Sequence, residues 1–307
     1  MNRRTWIKRS VTATAGLCIA DALGITPPTA LEIVDCHTHF YDPSRPQGVP
    51  WPAKGSPLFR PVLPADWRAV AAAQGVTKTV VIEASPWLED NQWILDLAAR
   101  EPDLVGFIGN LDFTDPNFPA HLARFAANPL FRGLRARDKL AAEDLTRGGR
   151  ALAERGLALD LNGPAGFMAR AVALANEVPA LRIVIDHVGA AGDARKLTQA
   201  WKDDMRRAAD QPNIFMKISG LVEQADAPSG EAPRELAAYL PILDHLWECF
   251  GEDRLVFGSN WPVCEKGAPY DAVFRIVREF FETKGATAAA KYFRTNSLAI
   301  YRWIERA

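Results

Sequence analysis

The chain has 307 residues, 48% hydrophobic and 24% charged, a composition that excludes a disordered, collagen-like or multi-span membrane protein and allows a large buried core. With 36 basic against 37 acidic side chains the formal net charge is −1, so no global field draws the chain to nucleic acid or anionic lipid, and a small-molecule substrate is the expected partner. The four cysteines form no C-x-x-C pair, which excludes a zinc ribbon, a dithiol motif and a disulfide framework.

Arg3-Arg4-Thr5-Trp6-Ile7-Lys8 precedes a mildly apolar stretch and the triplet Ala20-Asp21-Ala22, an order that resembles a twin-arginine export signal. Residues 1–25 are therefore expected to be a cleaved signal and residues 26–307 a single catalytic domain, periplasmic and free of the membrane after cleavage; a basic N-terminus on a cytoplasmic protein is the alternative. Changing Arg3 and Arg4 to lysine should hold the precursor in the cytoplasm, and fractionation of a reporter fusion checks this.

From residue 31 onward, short β-branched runs alternate with Ala-rich stretches of helical spacing. The predicted strands are 31–40, 78–85, 104–113, 131–137, 157–163, 181–189, 213–221 and 254–263, with helices at 65–74, 88–100, 118–127, 143–155, 165–177, 198–210, 234–250 and 271–284. A proline-rich loop over 42–64 follows the first strand, and 287–306 reads as a closing helix. Eight βα units imply one (β/α)8 TIM barrel of the α/β class; the doubly wound sheet is the main competitor, but no G-x-G-x-x-G follows the first strand.

In such a barrel the chemistry sits at the carboxyl ends of the strands, where polar residues gather. The first predicted strand carries His37 and His39, and later ones end at Glu83, Asn110 and Asp112, Arg135 and Arg137, Asp160 and Asn162, Asp186 and His187, Lys217 and Ser219, and Ser259 and Asn260. Strand alternation puts His37 and His39 on one face, and a third histidine or a carboxylate would complete a site with an open position for water. The metal candidates are therefore His37, His39, His187 and Glu83. Of the five histidines, His121 and His245 fall in predicted helices and read as packing or surface residues.

Val34-Asp35-Cys36-His37-Thr38-His39-Phe40-Tyr41-Asp42-Pro43 with Trp51-Pro52, then Phe131-Arg132-Gly133-Leu134-Arg135, Ile185-Asp186-His187-Val188-Gly189 and Val256-Phe257-Gly258-Ser259-Asn260-Trp261-Pro262-Val263 resemble the amidohydrolase-related TIM-barrel hydrolases. The nearest branch is that of the sugar lactonases and 2-pyrone-4,6-dicarboxylate lactonase. The resemblance implies a metal-dependent-hydrolase barrel that opens a lactone or related ester, with His37, His39 and His187 holding metal or polarising substrate and Arg135 facing the substrate. Asn260 departs from the family, most of which has Asp at the end of the eighth strand; Arg135 replaces a bridging lysine, and Asn162 stands where a histidine ligand is common. These departures remove a two-metal site, leaving one divalent ion, zinc first, or a metal-independent reaction.

An amide takes no proton from water at neutral pH, so Glu83 and His187 are the candidate bases, with Asn260 orienting water or substrate. Arg135 and Lys217 are the cations fit to hold a substrate carboxylate or developing oxyanion, and each could instead be locked in a salt bridge with Asp112, Glu83 or Asp160. Trp51, Trp87 and Trp261 could wall a pocket or stack on a sugar ring. A nonoxidative decarboxylase of the same broad family and a catalytically silent ligand-binding barrel are the competing functions.

Overall fold

The computed structural model describes residues 31–164 and 166–306, so the expected export signal lies outside the described residues. The strands are β1 Ile33–Thr38, β2 Val76–Ile82, β3 Leu104–Gly109, β4 Phe131–Arg137, β5 Ala158–Asn162, β6 Arg182–Ile185, β7 Ile214–Ile218 and β8 Leu255–Phe257, parallel and ordered β1 to β8 in one sheet. A parallel bridge from Thr38 to Trp261 brings the segment after β8 back to β1. The sheet thus closes into a single TIM barrel. Among the described residues no helix is long and apolar enough to cross a membrane.

The barrel helices are α1 Pro64–Ala71, α2 Leu88–Arg100, α3 Phe118–Ala126, α4 Ala142–Glu154, α5 Met168–Glu177, α6 Gln199–Ala209, α7 Leu240–Phe250 and α8 Tyr270–Lys284. Side chains such as Val81, Phe107, Leu134, Leu159 and Ile183 pack in the apolar layer shared with these helices. Alternate residues of the same strands, among them Val80, Ile108, Ala158 and Val184, fill the barrel interior.

The predicted closing helix is divided. Ala286–Ala290, a π-helical turn Lys291–Thr295 and Asn296–Tyr301 are followed by Arg302 at φ 49 and a non-helical tail. The left-handed residue turns the chain so that Ile300, Tyr301 and Trp303 pack on the interior strand residues. The carbonyls of Tyr301 and Ile300 accept from Arg132 and Arg182 near the starts of β4 and β6, so this segment closes the amino-terminal end of the barrel. The opposite mouth remains for chemistry.

Most predicted strands ran past their observed carboxyl ends, the third by four residues beyond Gly109, and three of them did so into turns. Residues 186–189, 219–221 and 258–263 leave the ladder after β6, β7 and β8. His187, Val188 and Asn260 have φ of 53, 49 and 61, values that no strand permits.

Candidate active site

On β1, Asp35 pairs with Thr79 and Thr38 with Val81, so one extra residue is inserted between them. Cys36 packs with the interior, and His37 also reaches inward, its Nδ1 3.5 Å from Asp186 Oδ1. Asp35 braces this segment: it accepts from the backbone N–H groups of His37 at 3.1 Å and Ser259 at 2.9 Å, and from the Tyr270 hydroxyl at 3.1 Å. The end of β1 is thereby tied to the loop that carries Asn260.

His187 sits on a left-handed loop beside Gly220, whose φ is +64 and where an added Cβ would lie 2.9 Å from His187 Nδ1. Only glycine meets both conditions. Arg135 Nη2 lies 3.0 Å from His187 Nε2, and a guanidinium only donates, so Nε2 is the bare nitrogen. Nδ1 then carries the proton and donates to Ser219 Oγ at 3.0 Å. Burial pushes His187 down to about 3, with Asp186 opposing and Arg135 assisting the fall, so the ring is neutral.

Beneath the histidines lies a closed set of charges. Lys217 Nζ donates to Asp160 Oδ2 at 2.5 Å and lies 3.1 Å from Asp186 Oδ1, while Arg135 Nε is 2.9 Å from Asp186 Oδ2. Burial works to discharge Lys217, but Asp160 and Asp186 outweigh it and raise its pKa. Burial likewise opposes the Asp186 charge, yet Lys217 and Arg135 hold that carboxyl well below its usual range. Asp160 and Asp186 face Lys217 and Arg135, so no net charge is stranded inside the barrel.

Above this floor is a cavity of about 500 Å³ lined by His39, Pro50, Trp51, Glu83, Ala84, Pro86, Asn110, Arg135, Arg137, His187, Asn260 and Val263. Glu83 Oε1 accepts from Arg137 Nη2 at 2.9 Å and is 3.8 Å from Arg135 Nη1. Its Oε2 is buried and has no hydrogen-bond partner. Trp51 forms an edge contact with His39, ring centroids 6.1 Å apart, and supplies an apolar wall.

The structure brings His37, His39 and His187 together, the His37 ring centroid lying 5.0 Å from that of His39 and 4.5 Å from that of His187. It does not bring Lys217 or Trp261 to the pocket, which corrects their expected substrate contacts. Lys217 is fully buried and saturated by carboxylates, and Trp261 is 1% exposed with its indole N–H donating to Glu265 at 2.9 Å. Trp87 is exposed and lines no part of the cavity.

Two contributors were missed. Asp186 was seen only as a strand-end residue, although it lies against His37 and both cations. Glu223, on the turn Val222–Gln224 after β7, accepts from Asn260 Nδ2 at 2.6 Å and gave no motif signal at all.

Among the described residues, the ligand atoms of His37, Asp186 and His187 lie within 4.8 Å of one another. Both ring nitrogens of His37 are buried without a hydrogen-bond partner, and burial holds that imidazole well below its usual pKa, in the neutral form a metal needs. The site thus carries a donor set that fits a metal. This set differs from the expected one: Asp186 joins it, while His39 and Glu83 lie outside the cluster, even though the Nδ1 contact to the Ile82 carbonyl leaves His39 Nε2 bare.

The chain matches the family model described as amidohydrolase over residues 34–303. It is 32% identical to an L-fucono-1,5-lactonase of Burkholderia ambifaria, over 75% of this chain and 80% of that protein. With an L-fucono-1,5-lactonase of Burkholderia multivorans it shares 27% identity over 83% and 90% of the two chains. The crystal structure of a Burkholderia multivorans amidohydrolase with bound zinc superposes with a TM-score of 0.80 at 26% identity, covering 89% of this chain and 100% of that one. The barrel, its polar mouth and these likenesses agree: the chain is a hydrolase and belongs to the amidohydrolase family.

Proposed function

We propose that the mouth of the barrel hydrolyses the lactone ring of a small sugar acid. The observation that carries this reading is Glu83 Oε2, a buried carboxylate oxygen without a partner in the same cavity as the Arg135–His187 pair. A base for water and a cation for the developing oxyanion are the two demands of ester-ring opening. The names of the two lactonase relatives support the substrate class. The cavity volume of about 500 Å³ suits a monosaccharide-sized ligand.

In this mechanism Trp51 lies against the sugar ring and Asn260 orients the attacking water. Glu83 Oε2 takes a proton from that water as its oxygen bonds to the lactone carbonyl carbon. Arg135 steadies the oxyanion of the tetrahedral intermediate. The ring C–O bond then breaks, and Glu83 returns the proton to the departing alkoxide, leaving an open hydroxy acid and an unchanged enzyme. His187 Nε2 accepts from Arg135, so it orients the guanidinium and is not free to take the proton from water. A divalent ion, zinc by the nitrogen and oxygen character of the donors, would be held by His37 and Asp186, and by His187 once Arg135 releases its Nε2, and would supply a Lewis acid and a more acidic bound water. Arg135 offers a fixed positive charge at the same place, which keeps the metal-independent alternative in view.

The test is a panel of aldonic lactones and aromatic carboxylates assayed for acid release and for carbon dioxide. Acid release above the spontaneous rate is expected with the lactones. Carbon dioxide from the carboxylates would move the assignment to a decarboxylase, and silence on both to a binding barrel.

A further inference from the structure

Asn260 is held between two titratable side chains. Its Nδ2 is 2.6 Å from Glu223 Oε1 and its Oδ1 is 3.3 Å from His39 Nε2. His39 Nδ1 faces the Ile82 carbonyl at 3.0 Å, and a carbonyl only accepts, so the His39 proton is on Nδ1. Burial pushes His39 down to about 4, with Arg135 assisting, so the ring is neutral and Nε2 is a bare acceptor. With the amide in this orientation, Oδ1 therefore meets another acceptor. Turning the amide over removes the conflict at His39 and leaves Asn260 Oδ1 facing Glu223, which then needs a proton of its own. A separation of 2.6 Å suits an O–H···O bond as well as a short N–H···O bond.

Glu223 can supply that proton. Its Oε2 is buried without a hydrogen-bond partner. The charged and titratable groups that face it are Lys266 on the turn Val263–Lys266, Tyr239 ahead of α7, and Cys264. Burial raises the Glu223 carboxyl to about 7, the Asn260 bond and Lys266 opposing the rise only in part.

We propose that Glu223 is a positioning residue which, through the Asn260 amide, sets whether the loop after β8 offers the pocket a hydrogen-bond donor or an acceptor. Protonated Glu223 donates to Oδ1, and Asn260 turns its NH₂ toward His39 and the cavity. Ionised Glu223 requires the NH₂ for itself, and Oδ1 faces the cavity, where it accepts a hydrogen bond from the attacking water and aligns that water for Glu83. The carboxylate that this chain lacks at position 260 is thus replaced by a carboxylate one hydrogen bond further from the substrate. The effect on rate rests on the hydrolytic reading of the pocket; the coupling of Glu223 to Asn260 does not.

Two readouts separate these claims. In nitrogen-labelled protein, the Asn260 side-chain amide resonance, assigned by its loss in Asn260→Ala, should titrate with a midpoint near pH 7 and should stop doing so in Glu223→Gln. With a lactone that is turned over, kcat should rise through the same pH in the native enzyme. This limb should vanish in both Glu223→Gln and Asn260→Ala, while KM in Glu223→Gln stays within about twofold, because no substrate contact is removed. A limb that persists at the same pH in both variants overturns the proposal, as does an Asn260 resonance that does not titrate in the native protein. Failure to open any lactone defeats the hydrolytic reading, while the resonance still decides whether Glu223 controls the amide.

Discussion

Replacing Glu83 with Gln is expected to lower kcat by about 10²- to 10⁴-fold, the usual contribution of a general base, with a much smaller change in KM. The size follows from the lack of a substitute. His187 Nε2 is engaged by Arg135 and its ring is held down at about 3, and His39, at about 4, is also a weak base. Asn260 has no proton-accepting charge state in this range. Glu83 is 3% exposed and fixed by Arg137 at 2.9 Å, so Gln can occupy its place, although an amide N–H turned toward the guanidinium would cost about 1–3 kcal/mol. Steady-state kinetics beside a thermal melt will separate the two effects. Full activity in Glu83→Gln would remove Glu83 from the role of base.

Lys217→Met should instead unfold the protein more readily, by about 3–5 kcal/mol, because it strips the cation from two buried carboxylates. Against a typical stability of about 5–15 kcal/mol this is a large loss, visible as a fall in Tm of roughly 10 °C. The sign of its pH dependence follows from Asp160, which burial raises to about 6 even with Lys217 beside it. Below that pH a protonated Asp160 needs no counter-charge, so its share of the penalty should vanish at acidic pH and return as the pH rises through 6, while the share from Asp186, whose carboxyl stays ionised, persists. A substrate-binding lysine would behave differently, raising KM with Tm unchanged. Melting curves of both proteins across this range distinguish the cases.

The architecture was legible because each βα unit repeats its own local signals. The predicted helix at 88–100 coincides with α2, where Glu89 and Asp90 in the first turn and Arg100 in the last mark its ends. The strand ends were less legible, since Val188 and Val263 continue the β-branched pattern after the backbone has left the ladder. That departure depends on left-handed φ values at His187 and Asn260, imposed by tertiary packing.

Lys217 was ambiguous for a related reason: a lysine at a strand end reads alike whether it faces substrate or carboxylate. What decides it is Asp160, 57 residues earlier in the chain. Glu223 was invisible because its significance comes from Asn260, 37 residues later, and from burial that a turn sequence does not announce. Asp186 was in view beside His187, but its place among the metal-capable donors depends on the inward reach of His37 after the β1 bulge.

The most direct test of the hydrolytic reading is a turnover in heavy-oxygen water of whichever lactone the panel identifies, with native protein and Glu83→Gln compared by mass spectrometry of the product. Attack of water on the carbonyl carbon predicts one heavy oxygen in the carboxylate of the open acid, formed by the native protein and reduced to near the spontaneous rate in the variant. Label in the liberated hydroxyl, or equal rates of labelled acid from both proteins, would contradict it.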